Sequence, residues 1–133
     1  KMLNLDKEVK EIFSPEQLLP AIGQGTIALQ CKNDDQKTLN ILKTINDKET
    51  FFCIQAERAL LEAIGGDCDT AIGGLAKLSN NKIILKSELF SNDGKKNFQF
   101  QSSGNIKEAK EVGYKVGKEL LKKAGPDFTT QGS

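Results

Sequence analysis

The stretch that decides the fold is residues 71–101, AIGGLAKLSNNKIILKSELFSNDGKKNFQFQ. It contains three candidate strands, at residues 71–78, 82–89 and 95–101. They are separated by Asn-Asn at residues 80–81 and by Asn-Asp-Gly at residues 92–94, both of which are typical of β-hairpin turns. We therefore predict three antiparallel strands that follow one another as a meander.

Alternating side chains divide this predicted sheet into two faces. One face receives the apolar residues of the second and third strands, Ile83, Leu85, Leu89, Phe98 and Phe100. The other face receives polar residues of the same strands, Lys86, Glu88, Gln99 and Gln101. An antiparallel sheet commonly packs one face on a core and leaves the other in water, and this pattern predicts that arrangement.

Helical patterns flank the predicted sheet. Apolar residues recur at helical spacing over residues 47–64, and a glycine pair at 65–66 ends that helix. Asn105 can cap a second helix that runs to about Ala124. Its apolar stripe consists of Ile106, Ala109, Val112, Val116 and Leu120. The order α-β-β-β-α predicts an α+β domain, with an open three-stranded antiparallel sheet covered by helices on one face.

The first third of the chain has the pattern of separate pieces. Ser-Pro-Glu-Gln at residues 14–17 predicts a single helical turn, which Pro20 stops. An apolar run at residues 26–31 follows a Gly-Gln-Gly turn and predicts a strand. Asn33 and Asp34 can then cap a helix through about Ile45.

Composition excludes several classes of function. Nineteen Lys and Arg residues against eighteen Asp and Glu leave a net charge of +1 in 133 residues, so no overall basic surface is available for nucleic acid or an anionic membrane. The chain has no histidine, which excludes Ser-His and Cys-His nucleophile pairs within it. Its three cysteines lack metal-type spacing and suit free thiols, and no apolar run is long enough to cross a bilayer, so we expect a cytoplasmic protein.

Two stretches resemble a known family. The first is LPAIGQG at residues 19–25, running on to CKNDD at residues 31–35. The second is AERALL at residues 56–61, running on to GGDC at residues 65–68. In order and separation they resemble the porphobilinogen deaminases, also called hydroxymethylbilane synthases, and the resemblance extends to about Ala124.

The resemblance implies an activity and a cofactor. The family condenses four porphobilinogen units head to tail with release of ammonia, on a dipyrromethane primer held by a thioether to one cysteine. By position that cysteine is Cys68. The resemblance also implies that the catalytic aspartate and most cofactor-binding basic side chains precede Lys1 in a longer protein. We therefore expect a truncated chain that has no catalytic residue, binds no metal and is inactive by itself, with the cofactor absent until the missing N-terminal domains are supplied.

The family has three domains, and its third has the layout predicted above. The resemblance implies that residues 1–24 end domain two, that residues 25–46 form a strand-helix segment returning to domain one, and that residues 47–126 form the C-terminal cofactor-bearing domain. Residues 127–133 are expected to be a flexible tail. The implied partners are porphobilinogen and the growing oligopyrrole, with no nucleic acid or membrane, and we expect a monomer.

The predicted cofactor site consists of Cys68 as the covalent anchor, with Gly66, Arg58 and Lys32. Cys68 follows a helix C-terminus between two aspartates, so its surroundings disfavour the thiolate; an anchor that reacts once needs a stable bond more than a low pKa. Arg58 and Lys32 resemble family positions that pair with pyrrole carboxylates. Lys32 stands where the family usually has arginine, and Arg58 could instead be solvated or pair with Glu57 or Glu62. Cys31 and Cys53 are expected to be packed thiols.

Two other classes of protein share parts of this pattern. Double-stranded RNA-binding domains have the same α-β-β-β-α order. The start of the last helix alternates in charge, as Lys107, Glu108, Lys110 and Glu111, where an RNA-binding domain needs clustered positive charge. Two lysines before Phe98 and Phe100 could suggest base stacking, but the alternation places both rings on the core face. A structural domain without cofactor is the third interpretation.

Overall fold

A computed structural model describes residues 6–66, 70–126 and 128 of the chain. Within these residues the helices and strands are α1 (Gln36–Ile45), α2 (Lys48–Ile64), β1 (Ile72–Ser79), β2 (Lys82–Phe90), β3 (Asn97–Asn105) and α3 (Ala109–Ala124). Short 3-10 helices cover Asp6–Glu8 and Ile106–Glu108. The predicted α+β class and the order α-β-β-β-α of the C-terminal domain are confirmed. No helix in the described ranges is long and apolar enough to cross a membrane.

The three strands form one antiparallel sheet in the order β1-β2-β3. Ser79 pairs with Lys82, so Asn80 and Asn81 form a two-residue hairpin loop, with φ of 48° and 60°. Positive φ at both positions is the geometry that matches the twist of the flanking strands, and asparagine adopts it more readily than most residues. The first predicted hairpin is therefore confirmed, together with its turn chemistry.

The third strand differs from its predicted bounds of 95–101. The Asp93 carboxylate accepts a hydrogen bond from the backbone N–H of Lys95 at 3.1 Å, and Ser91 and Lys96 are joined by backbone and side-chain bonds, which keeps residues 95 and 96 in the turn. At the other end the strand continues to Asn105, because the ladder with β2 runs on through residues whose side chains are small or polar. Backbone pairing, rather than apolar alternation, extends the strand.

The core lies between the sheet and helices α2 and α3. The largest fully buried apolar side chains are Leu60 of α2, Ile83, Leu85 and Leu89 of β2, and Val116 and Leu120 of α3. Phe98 and Phe100 pack against this cluster from β3, as their alternation predicted. Ser87 is the polar exception on this face of β2, and its hydroxyl donates to the Gly73 carbonyl at 2.7 Å.

Helices α2 and α3 approach closely at Gly113. A β-carbon at residue 113 would collide with the Ala56 carbonyl oxygen and lie 2.7 Å from the β-carbon of Ala59. Small residues on both helices therefore let the two backbones come together. This contact seats α3 on α2 and brings both helices over the same face of the sheet.

The N-terminal third contains one wrong prediction. Residues 26–31 form no strand, since they lie outside the described sheet and have no neighbouring strand to pair with; Ile27 is 86% exposed. The turn at residues 14–17 is present, with the Ser14 carbonyl accepting from Gln17 and Leu18. Helix α1 is also present, but it begins at Gln36 after Asp35, later than the caps proposed at Asn33 and Asp34.

Asn105 caps the C-terminal helical segment as predicted, through a reciprocal bond set with Glu108. The segment begins as the 3-10 helix Ile106–Glu108 and becomes α-helical only at Ala109. Of the predicted tail 127–133, only Phe128 is described, and its ring packs edge-on against Phe98 with the centroids 6.4 Å apart.

Candidate cofactor-bearing site

The predicted site lies just beyond the end of α2. Gly65 ends the helix in the left-handed conformation, with φ of 70°, and its N–H donates to the Glu62 carbonyl at 3.0 Å. The Gly66 N–H donates to the Leu61 carbonyl at 3.1 Å. These bonds complete the helix end that the glycine pair predicted. They also fix the residue from which the chain leaves toward Cys68.

Cys68, the predicted anchor, lies outside the described residues with Asp67 and Asp69. The residues on either side are described and lie close together. A β-carbon at residue 66 would lie 2.7 Å from the Thr70 hydroxyl and 2.9 Å from a Leu61 methyl group. A side chain at residue 66 would therefore have to displace the Thr70 and Leu61 side chains, which favours glycine here independently of any ligand.

The LPAIGQG stretch lies along the outer edge of β1. Ala21 pairs with Gly73 in an isolated antiparallel bridge, and the Gly74 N–H donates to the Pro20 carbonyl at 2.9 Å. A β-carbon at residue 74 would lie 2.5 Å from the end of the Ile22 side chain. The glycine at 74 thus makes room for this stretch, which the sequence pattern had not linked to β1.

A buried carboxylate joins the two stretches that carry the family resemblance. Glu57 of α2 is 4% exposed. One carboxylate oxygen accepts the Gly23 N–H at 2.8 Å, and the other accepts the Ala76 N–H of β1 at 2.9 Å. Burial raises the pKa of Glu57, while the two N–H donors oppose that shift by favouring the ionised form. Residues 19–25, α2 and β1 therefore meet at one side chain.

Our interpretation of the sequence missed this role, because it considered Glu57 only as an ion-pair partner for Arg58. The available signal was the spacing of Glu57 from Cys53, Leu60 and Ile64, which places a carboxylate on the apolar stripe of a helix. A charged residue on such a stripe is rarely buried unless its polar atoms find partners. Which backbone groups serve as partners follows only from the tertiary structure.

The two basic residues of the predicted site are both exposed. Neither proposed ion pair of Arg58 forms in the described ranges, since Glu57 faces backbone donors and Glu62 accepts the Tyr114 hydroxyl at 2.7 Å. Lys32 lies in the turn before α1, not at the end of a strand, and its carbonyl accepts the Asp35 N–H at 3.2 Å. No hydrogen bond or ion pair joins Lys32 to Arg58 among the described residues.

Cys31 and Cys53 are free and half-buried. Cys53 packs against the core, where burial and then the nearby Glu57, Glu49 and Asp47 carboxylates raise the pKa of its thiol. This confirms the prediction of a packed thiol at Cys53. Cys31 does not belong to the core cluster, and the strand predicted for it is the one that does not form. In the described part of the chain, no cluster of three or more Cys, Asp or Glu residues could hold a metal ion.

The aromatic residues weighed for nucleic-acid stacking are engaged on the helix-covered face. The Lys123 ammonium lies 5.2 Å from the centroid of the Phe100 ring and donates to the Gln99 carbonyl at 2.6 Å. Phe98 contacts Phe128. At the start of the C-terminal helical segment, Glu108 accepts the backbone N–H of Asn105 at 2.9 Å. Its carboxylate therefore serves in the cap, at the place where an RNA-binding domain needs positive charge.

Comparison with known proteins gives the same family from both parts of the chain. Residues 51–122 match the family model described as porphobilinogen deaminase, C-terminal domain, and residues 1–40 match the model described as porphobilinogen deaminase, dipyromethane cofactor binding domain. The porphobilinogen deaminase of Coxiella burnetii (strain CbuG_Q212) is 38% identical over 125 residues, covering 94% of this chain and 41% of the relative.

Two further relatives carry the same name. The porphobilinogen deaminase of Ehrlichia chaffeensis is 40% identical over 114 residues, covering 85% of this chain and 38% of its own length. That of Prochlorococcus marinus (strain MIT 9515) is 37% identical over 127 residues, covering 96% of this chain and 40% of its own. These matches define the class to which the α+β domain belongs, and the chain is a member of the porphobilinogen deaminase family. It spans about two fifths of the length of the curated relatives it matches.

Proposed function

We propose that this chain is the C-terminal part of a cytoplasmic hydroxymethylbilane synthase. That enzyme condenses four porphobilinogen units head to tail and releases ammonia at each condensation. The observation that carries the proposal is the position of Cys68 in the family-matched region, three residues after Gly65, the cap of α2. The half-buried free thiols of Cys31 and Cys53 support a reducing compartment.

Cys68 is proposed as the anchor of a dipyrromethane, which would be held through a thioether between its sulfur and a carbon of that group. When bound, the group supplies the pyrrole end from which the chain of substrate units grows. A thioether resists reduction, so the anchor survives repeated turnover without a low cysteine pKa. The close contact of Gly66 with Thr70 supports a loop whose two ends are held next to each other.

Two exposed cations are available to bind an anionic pyrrole chain. Arg58 is exposed, precedes Cys68 on the helix that leads to the loop, and has no carboxylate partner among the described residues. Its guanidinium is therefore available for a charge-assisted, two-pronged bond to a pyrrole carboxylate. Lys32 is proposed as a second such cation, contributing a single-point contact because an ammonium lacks the planar fork.

The domain assignment is also a proposal. Residues 1–24 are assigned to the end of domain two, residues 25–46 to a segment of domain one, and residues 47–126 to the cofactor-bearing domain. Large apolar side chains of the second segment support this division because they remain uncovered: Ile27 is 86%, Leu29 60%, Ile41 57% and Ile45 63% exposed. Side chains of this kind need a surface to cover them, and residues that relatives have beyond the matched region could provide one.

The test is Cys68→Ser in the gene product that carries this sequence. We expect the wild-type protein to show a mass increment that reducing agents do not remove, and to consume porphobilinogen. The variant should lose both, because serine cannot form the thioether. The matched control is Cys31→Ser, which changes a half-buried cysteine outside the core and should retain both. Full activity and an unchanged increment in Cys68→Ser would show that the anchor is elsewhere.

A further inference from the structure

We propose that Glu57 is a positioning residue, which fixes the arrangement of residues 19–25, helix α2 and strand β1 around the cysteine-bearing loop. The inference rests on the proposed function, because the loop matters only if Cys68 carries the growing chain. Glu57 is not proposed to touch substrate or cofactor. It acts through the backbone groups that it holds.

The Glu57 carboxylate links two segments of the chain through one hydrogen bond on each oxygen. Its oxygens accept N–H groups from two different segments, Gly23 at 2.8 Å and Ala76 at 2.9 Å, while its own backbone belongs to α2. Glu57 is 4% exposed and its bond to the Ala76 N–H is buried, so water does not offer that N–H a substitute partner, while the bond to the half-buried Gly23 is partly buried. A buried N–H left without an acceptor is destabilising, so the bond to Ala76 fixes α2 against β1, and the bond to Gly23 holds residues 19–25 on the same side chain.

Glutamate suits this position better than glutamine or aspartate does. The carboxylate offers an acceptor on each oxygen, and both are used. Glutamine has the same shape but only one acceptor, and its NH₂ group would face one of the two N–H donors. Aspartate keeps the charge but is one methylene shorter and cannot reach both donors without movement of the backbone.

The connection bears directly on the proposed site. Glu57 is followed on α2 by Arg58, and the same helix ends at Ile64, four positions before Cys68 in the sequence. Residues 19–25 also contact β1 through their backbone, at Gly73 and Gly74. The bond from Gly23 to Glu57 is therefore the described hydrogen bond that ties this stretch to the helix leading to the cysteine.

The charged surroundings of Glu57 leave its carboxylate without a counter-ion among the described residues. On α2, the half-buried Cys53 thiol lies one turn away, and Arg58 is exposed. On β1, Lys77 pairs with Glu16 at 3.4 Å, outside the core. Residues 19–25 contain no ionisable side chain, and α3 meets this part of α2 through Gly113. The two N–H groups therefore offset the charge of the Glu57 carboxylate. Protonation of Glu57 should change the amide proton shifts of both Gly23 and Ala76.

The first test needs no substitution. The amide proton shifts of Gly23 and Ala76 are followed by NMR in the 133-residue chain as the pH is lowered. We expect both to titrate with one common midpoint, above that of an ordinary glutamate, because burial raises the pKa of Glu57. Separate midpoints, or no titration at either amide, would overturn the proposal whether or not the protein is a synthase.

The second test is Glu57→Gln, with Glu62→Gln as the matched control on the same helix. We expect hydrogen exchange at Gly23 or Ala76 to rise roughly tenfold or more in Glu57→Gln, since one donor loses its acceptor. In the expressed enzyme, kcat/KM for porphobilinogen should fall, and its pH profile should lose the step that coincides with the amide titration. Glu62→Gln, which changes a surface bond to Tyr114, should alter neither.

Three outcomes separate the two proposals. If wild-type protein consumes no porphobilinogen, the proposed function fails and the amide titration still decides the role of Glu57. If Glu57→Gln changes thermal stability but leaves the pH profile unchanged, Glu57 supports the fold only and the positioning role is wrong. If Glu57→Gln does not fold, Glu57→Asp replaces it, and unchanged exchange at both amides in that variant would also contradict the proposal.

Discussion

Helices α1 and α2 have the same kind of N-terminal cap, but they differ in how much of each helix is buried. Asp35 caps α1 by accepting the Thr38 N–H at 3.0 Å, and Asp47 caps α2 by accepting the Thr50 N–H at 2.7 Å. Both helices carry an apolar face. Yet α2 buries five residues, while α1 buries none.

The difference shows that a capped amphipathic sequence specifies a helix but does not specify what its apolar face packs against. Most helical stability in proteins comes from packing of the apolar face. The apolar face of α2 has the sheet and α3 as partners, with Leu60 fully buried between them. On α1, Ile41 and Ile45 remain exposed, which supports the proposal that the partner of this helix lies in residues that relatives have beyond the matched region.

The largest expected effect comes from removing one apolar side chain from each helix. Leu60→Ala should lower the free energy of unfolding by about 2–5 kcal/mol, because it leaves a cavity in the core. Ile41→Ala should change it by no more than about 0.5 kcal/mol, since that side chain is exposed on α1. Urea denaturation of the 133-residue chain, followed by circular dichroism, measures both. Equal losses would show that α1 is packed in solution and would remove the contrast.

A smaller effect should follow from Gly113→Ala. The added methyl group meets the Ala56 carbonyl and the Ala59 side chain, so α2 and α3 must separate. Overpacking of this kind costs about 1–3 kcal/mol, partly offset by the better helix propensity of alanine, which is worth about 1 kcal/mol. Lys115→Ala on the exposed side of α3 is the control and should be near neutral. A Gly113→Ala protein about 1 kcal/mol more stable than wild type, the full gain in helix propensity, would mean that the helices are not in close contact.

The smallest effect concerns the two caps and depends on pH. Hydrogen bonds from Thr50 lower the pKa of Asp47, and those from Thr38 lower that of Asp35. A carboxylate whose pKa is lowered by folding contributes stability above its unfolded pKa and loses it as the pH falls through its folded pKa. Asp47→Ala should therefore lower the melting temperature at neutral pH, with a difference that shrinks in acid.

Asp35→Ala should behave differently because α1 is not packed into the core. It should reduce helical circular dichroism slightly at neutral pH without moving the main melting transition. If both substitutions shift that transition equally, α1 unfolds together with the domain, and the contrast between the two helices is one of appearance only.

Local patterns anticipated much of the C-terminal domain. The Asn80-Asn81 turn, the alternation of Ile83, Leu85 and Leu89, and the glycine pair after α2 each act within a few residues, and each was confirmed. The strand at residues 26–31 failed because apolar residues of strand length need a neighbour to pair with. The third strand extends beyond its apolar pattern because backbone hydrogen bonds to β2 do not require apolar side chains.

What the sequence by itself determined is the elements of the C-terminal α-β-β-β-α region, their order and the family, since turns, caps and motif spacing are local properties of the chain. What only the tertiary structure decided is which elements meet. The seating of residues 19–25 on β1 and the choice of Glu57 as their link to α2 are examples. Such contacts depend on backbone donors and close approaches between residues far apart in sequence, and no short-range pattern records them.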